Sequence, residues 1–587
     1  MCGIVGYAGG NRAANVIFNG LKELEYRGYD SAGIAVLDDG KLSVVKKRGR
    51  VESLKDEISA LSGSVGIGHT RWATHGAPSD INAHPHRAGR CAIVHNGIIE
   101  NYAELKRELE EDGAVFLSET DSEVAAKLFE RLYSGDIRGA IVKVAKLLKG
   151  SYALMVTCED FEGFAVAKLK SPVILGFGDG ENFCASDEPA LAGRCRNICV
   201  LEDGDFALVT AEKVEIFDGN LNPVKRKILP NTARSGLLEL GDCPHYMLKE
   251  LREAPAAVKN TLSAFIERER GIYAALSDAD RVILTGCGTA YHAALAAKKY
   301  FEEFAKINVE VEYASELRYS EPAVTSKTAL LAVTQSGETA DTVEAARLFK
   351  SLGARVVAVT NSPNSAITRL ADAVLPVAAG PEICVAATKS YSGQLAALYL
   401  AAAAVSDGNF ARMAKRLGNM PDLMKFVVQK DLSELAEMCV KSKGVYFMGR
   451  GADFAVALEA SLKLKEVSYI AGGGYPAGEL KHGPLALIDG DTAAVFIICD
   501  GKVANKAVSA VYEVLARGGK VGVISNIPAV ISEFAGRVSV VELPECDREL
   551  APLLAASAVH VLAYRAAVLL GRDPDKPRNL AKSVTVE

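Results

Sequence analysis

Val282-Ile-Leu-Thr-Gly-Cys-Gly-Thr-Ala290 returns later in the chain as Val445-Tyr-Phe-Met-Gly-Arg-Gly-Ala-Asp453, an offset of 163 (445 − 282). Arg355-Val-Val-Ala-Val-Thr-Asn-Ser-Pro363 returns as Lys520-Val-Gly-Val-Ile-Ser-Asn-Ile-Pro528, an offset of 165 (520 − 355). One match arises easily by chance; two in the same order at nearly the same offset mark a duplication. Around these segments apolar runs alternate with helical patterns. Val282–Thr285 precedes Tyr291–Phe304, Ala329–Thr334 precedes Asp341–Leu352, and Val356–Thr360 follows. Such alternation predicts α/β domains with parallel sheets and helices on both faces. The two copies are expected over 266–412 and 428–575.

Residues 2–220 read differently. Short β-rich runs (Ala92–His95, Tyr152–Thr157, Phe206–Thr210) stand between turn residues, with few helices, among them Ser122–Leu132. This predicts one α+β domain. Residues 221–265, with Pro230, Gly236, Gly241 and Pro244, read as a linker. The tail 576–587 carries Leu580, Val584 and Val586, which suggests docking, with the second copy as the surface it folds onto.

The 587 residues exceed what one hydrophobic core usually serves, so roughly two to four domains are expected. The net charge of −6 argues against nucleic acid and anionic membrane surfaces as partners. It leaves room for a phosphorylated ligand, because amides at helix starts bind phosphate without net charge. The start, Met1-Cys2-Gly3-Ile4-Val5-Gly6, has no basic region before an apolar core, so no signal peptide is expected. Ala551–Leu570 is long and apolar but carries His560 and Arg565, and reads as a buried helix. Twelve scattered cysteines are too sparse for a disulfide scaffold, and Cys195 and Cys199 lack a second ligand pair for zinc. A cytoplasmic protein with reduced thiols is expected.

Cys2 stands apart. Removal of Met1 would place its thiol beside a free α-amine with a pKa near ~8, able to serve as base. Alone, such a cysteine is as readily inert. Its companions change that reading. Gly68-His-Thr-Arg-Trp-Ala-Thr-His75 sets Arg71 beside the single tryptophan, Trp72. A guanidinium can grip a carboxylate bidentately. Val94-His-Asn-Gly-Ile98 ends an apolar strand with Asn96 and Gly97, whose amide groups suit an oxyanion hole. Ser118-Glu-Thr-Asp-Ser122 offers Asp121 for an ammonium group, although an Asp there is equally a helix cap. Trp72, bulky and flat, lies one residue from Arg71 and is a candidate gate beside that group.

In the first copy, the strand ending at Thr334 runs into Thr334-Gln-Ser-Gly-Glu-Thr339. Its hydroxyls and amide can surround a phosphate at the next helix start. The second copy has Cys499-Asp-Gly-Lys-Val503 there, without those hydroxyls, so the phosphate is expected in the first copy only. Glu459, Lys463 and Glu466 lie three or four apart on one helical face; in isolation such a trio is a solvated salt-bridge face. Glu479-Leu-Lys-His-Gly-Pro484 presents His482 in a Gly/Pro loop.

These motifs carry a resemblance. Cys2-Gly-Ile4, Tyr26-Arg-Gly-Tyr-Asp-Ser-Ala-Gly33, His69-Thr-Arg-Trp-Ala-Thr-His75, His95-Asn-Gly-Ile-Ile-Glu-Asn101 and Glu119-Thr-Asp121 resemble the class II glutamine amidotransferases. The two repeats resemble sugar isomerase (SIS) domains. The order of the three, with Ala477-Gly-Glu-Leu-Lys-His-Gly-Pro-Leu-Ala-Leu-Ile488 and Pro577-Arg-Asn-Leu-Ala-Lys-Ser-Val-Thr-Val-Glu587, resembles the isomerizing glutamine–fructose-6-phosphate aminotransferase family over the full length. The resemblance implies an N-terminal-nucleophile (Ntn) hydrolase-type first domain with stacked antiparallel sheets. It implies Cys2 as nucleophile, Asn96 and Gly97 as oxyanion hole, Arg71 and Asp121 as glutamine clamp, and Thr74 and His75 lining that pocket. It implies Thr334, Gln335, Ser336 and Thr339 as phosphate ligands, with Thr289 and Val385 in the sugar-phosphate site. It makes Glu466 the base between C1 and C2, His482 the ring-opening residue and Lys582 the Schiff-base amine. Glu459, Lys463 and Arg578 are supporting. No metal, no organic cofactor and a homodimer are implied. Ala290 and Ala387 depart from the family, which often shows serine at both, and each removes one hydroxyl near the expected phosphate.

The reaction so implied gives glucosamine 6-phosphate and glutamate. One alternative is a phosphosugar isomerase or deglycase with an uncoupled glutaminase domain. Another is a phosphosugar sensor, which would need neither Glu466, His482 nor Lys582.

Overall fold

The computed structural model describes residues 2–231, 239–406 and 408–585; Met1, Gly236 of the expected linker and Val586 of the tail lie outside them. The described residues form two compact units, 2–231 with 581–585, and 239–580.

In the first unit Ile4 and Ala8 point one way and Val5 and Tyr7 the other, the period of two expected of a strand buried on both faces. That strand, Gly3–Ala8, lies inside an eight-stranded sheet between Asn182–Ala185 and Val65–Arg71, both antiparallel to it. A six-stranded sheet runs Val214–Phe217, Phe206–Val209, Phe161–Leu169, Gly150–Cys158, Cys91–Ile99, His86–Ala88, again with antiparallel neighbours. Ile4 and Ile67 of one sheet share a core with Val94, Met155 and Phe164 of the other, so the sheets stack face to face. Helix Ala13–Glu23 covers the outer face of the first sheet, and helices Ser122–Leu132 and Ile137–Leu147 that of the second. This is the stacked antiparallel architecture expected.

The second unit holds two five-stranded parallel sheets. One runs Asn308–Tyr313, Arg281–Gly286, Thr328–Thr334, Arg355–Thr360, Ala373–Pro376. The other runs Gly472–Pro476, Gly444–Gly449, Thr492–Ile498, Lys520–Ser525, Ser539–Glu542. Both have the same order relative to the chain, which establishes the duplication as structural. Even the turn leaving the first strand is repeated. Gly288 (φ 54°, ψ −123°) and Gly451 (φ 60°, ψ −124°) precede helices Thr289–Tyr300 and Ala452–Ser468 in a conformation side chains resist. A single apolar cluster runs through both copies. Helix Ala551–Leu569 has the length and composition of a membrane span, yet 83% of its most apolar stretch is buried inside the fold; it is a core helix.

The stretch expected as a linker, 221–265, is more structured than that. Ile228–Pro230 forms the edge strand of the eight-stranded sheet, and Tyr246–Ile266 is a helix. The turn-forming residues mark only part of the stretch. Beyond them Met247, Leu251, Ala254, Val258 and Phe265 recur at helical spacing and join the core of the second unit. In the tail, Arg578 stays with the second unit: its N–H donates to the Tyr469 hydroxyl at 2.8 Å and its guanidinium lies 4.4 Å from that ring. From Ala581 onward the described tail residues group with the first unit, not the second copy, and Val584 is exposed.

Candidate active site

In the first unit Cys2 immediately precedes strand Gly3–Ala8, whose antiparallel pairing with Val65–Arg71 brings residues 2 and 72 together. The Trp72 N–H donates to Cys2 Sγ at 3.2 Å, and the thiol lies 3.5 Å from the Trp72 carbonyl. Burial pushes the Cys2 thiol up, while the Trp72 N–H and Arg71 act against that rise. Trp72 is half-buried, edge-on to Tyr29. The Asn96 amide donates to the Cys2 carbonyl at 3.0 Å, leaving Asn96 Oδ1 buried without a protein partner. Gly97 has φ 140°, and a Cβ there would lie 2.0 Å from the Ser151 carbonyl oxygen, so no other residue fits.

Arg71 is buried. Its Nη2 donates to the carbonyls of His75 and, at 2.9 Å, Gly76, which locks the turn; Nη1 is buried without a partner. His75 packs edge-on to Tyr102 and Thr74 is exposed. Asp121 precedes helix Ser122–Leu132 but does not cap it with its side chain. Its carboxylate instead accepts the Ile99 N–H at 2.9 Å, tying it to the strand of Asn96 and Gly97. Arg71 Nη1, His75 Nδ1 and Asn96 Oδ1 are buried with no hydrogen-bond partner in the protein, so they are open to a ligand.

Behind this site lie four buried histidines, two of which sequence reasoning did not single out: His84 and His86. His69 stacks on His84 at 4.0 Å, and His84 meets His86 at 4.6 Å. The His95 N–H donates to His84 Nδ1 at 3.3 Å, and His69 Nε2 lies 3.1 Å from the His95 carbonyl. Burial lowers the pKa of His69, His84, His86 and His95, so they are neutral bracing for the strand carrying Asn96. The run Asn82-Ala-His-Pro-His86 was the available signal.

In the second unit, Glu459 and Lys463 are fully buried, so the solvated-face alternative is overturned. Glu459 accepts from Thr289 Oγ1 at 3.2 Å, and its other contacts are His292 Nδ1 at 2.8 Å and His560 Nε2 at 3.1 Å; Lys463 Nζ lies 3.8 Å away. Lys463 also pairs with half-exposed Glu466. Burial alone would raise the Glu459 carboxyl, but Lys463, His292 and His560 outweigh it and hold it well below the usual carboxylate range. Burial likewise pulls Lys463 down, and Glu466 and Glu459 more than reverse it. Thr289, expected at the sugar phosphate, thus commits its hydroxyl to Glu459. His292 and His560 carried no local signal, being 167 and 101 residues from Glu459.

Strand Thr328–Thr334 delivers its last residue to the hydroxyl-rich loop. The Thr334 and Thr339 hydroxyls are 3.1 Å apart, the Gly337 N–H donates to Thr334 Oγ1 at 3.2 Å, and Glu338 N–H to Ser336 Oγ at 3.2 Å. The Gln335 carbonyl accepts from Asn361 N–H. Helix Ala340–Ser351 begins directly after Thr339, so its free N–H groups face the loop's hydroxyls. Val385 is buried, its N–H donating to the Asp575 carbonyl at 3.1 Å. His482 is exposed in the turn after Gly472–Pro476, and Lys582 is half-buried. Among the described residues no group of three or more His, Cys, Asp or Glu side chains is arranged for a metal ion.

Comparison with known proteins accounts for this pairing of folds. A glutamine amidotransferase domain model matches residues 69–190, and a SIS domain model matches 275–404 and 438–535. Glutamine–fructose-6-phosphate aminotransferase (isomerizing) of Thermus thermophilus is 45% identical over 610 aligned positions, covering 100% of both chains. The chain belongs to the isomerizing glutamine–fructose-6-phosphate aminotransferase family. Its Aquifex aeolicus member is 43% identical, again with both chains fully covered. Among solved structures, the C-terminal domain of the Francisella tularensis glucosamine-fructose-6-phosphate aminotransferase is 33% identical with a TM-score of 0.53, over 58% of this chain and 99% of that one. Tagatose-6-phosphate ketose/aldose isomerase of Escherichia coli, 19% identical with a TM-score of 0.50 over 59% of this chain and 96% of that one, shares the fold.

Proposed function

We propose that the chain transfers the amide nitrogen of glutamine to fructose 6-phosphate and isomerises the product, yielding glucosamine 6-phosphate and glutamate. One observation carries the reading: the same chain, aligned end to end with aminotransferases of this name, has Cys2 hydrogen-bonded to Asn96 in a double-sheet domain and a buried Glu459–Lys463 pair reaching Glu466 in a duplicated SIS fold.

Cys2 attacks the glutamine amide, with the α-amine exposed by loss of Met1 as base. The Asn96 amide and the Gly97 N–H receive the oxyanion, for which an Asn96 amide already within reach of residue 2 is preorganised. The unpaired Arg71 Nη1 suits the substrate carboxylate and Asp121 its ammonium, with Thr74 and His75 beside them. Ammonia leaves, water cleaves the thioester, and Trp72 gates the route to the sugar. Thr334, Gln335, Ser336 and Thr339 hold the sugar phosphate, while Thr289 and Val385, whose donors are engaged by Glu459 and Asp575, act as walls of the sugar site. His482 opens the ring, Lys582 forms the imine and Glu466 moves the proton between C1 and C2. Lys463 fixes the Glu466 carboxylate, and Glu459 and Arg578 support the site.

The division of labour follows 2–220 for glutamine cleavage, 266–412 and 428–575 for the SIS copies, and 576–587 as a catalytic tail after the 221–265 connection. A cytoplasmic homodimer acting on glutamine and fructose 6-phosphate, without nucleic acid or membrane, completes the reading. Incubation with both substrates tests it: glutamate and glucosamine 6-phosphate should appear together. Sugar isomerisation without nitrogen transfer would replace the reading with the isomerase alternative.

A further inference from the structure

Cys91 opens the strand Cys91–Ile99 and Cys158 closes the strand Gly150–Cys158, and the two residues stand opposite each other in the antiparallel ladder. One step outward, the Glu159 N–H donates to the Arg90 carbonyl at 3.0 Å; at the far end the Glu100 N–H donates to the Lys149 carbonyl at 2.9 Å. Hydrogen-bonded and non-hydrogen-bonded pairs alternate, so Cys91 and Cys158 occupy a non-hydrogen-bonded position, where Cα atoms are about 4.5 Å apart. That spacing falls inside the roughly 4.4–6.8 Å that a disulfide spans. The two sulfurs are 2.7 Å apart and both thiols are free.

We propose that Cys91 and Cys158 form an oxidisable dithiol that a peroxide-class oxidant converts into a cross-strand disulfide. One thiolate attacks the peroxide O–O bond, giving a sulfenic acid and releasing water. The second thiol displaces a second water from that sulfur as the S–S bond forms. The two thiols lose two electrons and two protons, and one peroxide becomes two waters. Both cysteines are buried, but each lies next to a turn that reaches solvent, Gly89–Arg90 and Glu159–Asp160, so fraying of the strand ends admits so small an oxidant. The Cys91 thiol first, and burial second, push the Cys158 thiol well up, which makes the oxidation slow. The bond would staple the strand carrying Asn96 and Gly97 to its neighbour, closing a loop between residues 67 apart in sequence. Loops of that length give large stabilisation when closed.

The test treats the full-length protein with hydrogen peroxide, alkylates the remaining thiols in denaturant and maps them by mass spectrometry. Expected are joint loss of label at Cys91 and Cys158, a linked peptide two hydrogens lighter than its parts, reversal by dithiothreitol and a Tm raised by several degrees. Cys91→Ala and Cys158→Ala should each abolish the Tm rise, and the wild-type peptide map decides alone should either fail to fold. Full alkylation of both cysteines after peroxide has consumed the partly exposed Cys195, or linkage of either to another cysteine, overturns the proposal.

Discussion

The two SIS copies share a strand order and a glycine turn, yet they treat the end of their third strand in opposite ways. In the first copy Thr334, Ser336 and Thr339 line that end with hydroxyls, and Ala290 stands in the first turn of helix Thr289–Tyr300. In the second copy the residue equivalent to Ala290 is Asp453. Its carboxylate accepts the N–H groups of Cys499 and Asp500 at 2.9 and 3.1 Å, while Lys299 pairs with Asp500 at 3.2 Å. The protein's own carboxylate takes the strand-end amides that would otherwise be open to an outside anion. The second copy therefore satisfies its own strand-end amides, while the first keeps a loop of hydroxyls there, and the copies differ both in that loop and at the Ala290/Asp453 position. The lesson is that the backbone provides the donors, and the nearest side chain decides whether a ligand can have them.

The largest effect should come from the joint between the copies. Glu459 on the second copy's helix holds Thr289 and His292 of the first, so Glu459→Leu takes one of the two carboxylates from buried Lys463 and strips the buried Thr289, His292 and His560 of their shared partner. A loss of about 3–5 kcal/mol is expected. Because one apolar cluster spans both copies, calorimetry should show a single shifted transition for this unit. Two separated SIS transitions would mean that the copies are independent.

Next comes Ala290→Asp, which transplants the second copy's carboxylate into the first. Placing like charges together costs several kcal/mol, so the KM for fructose 6-phosphate should rise roughly a hundredfold or more, with glutamine cleavage at Cys2 retained. An unchanged KM would show that the hydroxyl loop is not the phosphate site. Ser336→Ala alone is milder. One hydrogen bond to a charged group is worth roughly 1.5–3 kcal/mol, so affinity measured by calorimetry should fall at least about tenfold.

The smallest effect is a pH slope. Burial lifts the Asp453 carboxyl to about 7, against the N–H groups of Cys499 and Asp500. Between the ordinary value of 3.8 and about 7 the folded state keeps a proton that the unfolded chain has released. This group's contribution is therefore present at low pH and lost as pH rises through that window, by at most about 1.4 kcal/mol per unit. Asp453→Asn should flatten the slope in urea titrations across the same window; an unchanged slope would assign it to other groups.

Much of this was legible in the residues. The repeat at offsets 163 and 165 announced two parallel-sheet domains, because strand–glycine–helix units are local. Cys2, Arg71, Asn96 and Asp121 were visible because each stands in a short local motif whose side-chain chemistry reads without its partners. The burial of Glu459 and Lys463 was not, since a trio at helical spacing looks the same on a wet face as in a core. Helix 246–266 was hidden by the prolines and glycines before it.

By itself, then, the sequence determined fold class, duplication and the list of reactive groups, since periodicity and turn chemistry act over a few residues. Only the tertiary structure decided which groups are paired. His292 and His560 converge on one carboxylate, Asp453 occupies amides 46 and 47 residues away, Cys91 faces Cys158, and the residues from Ala581 onward group with the first unit. Each of these depends on chain closure over long separations, and the partner that burial brings is what sets charge, protonation and access.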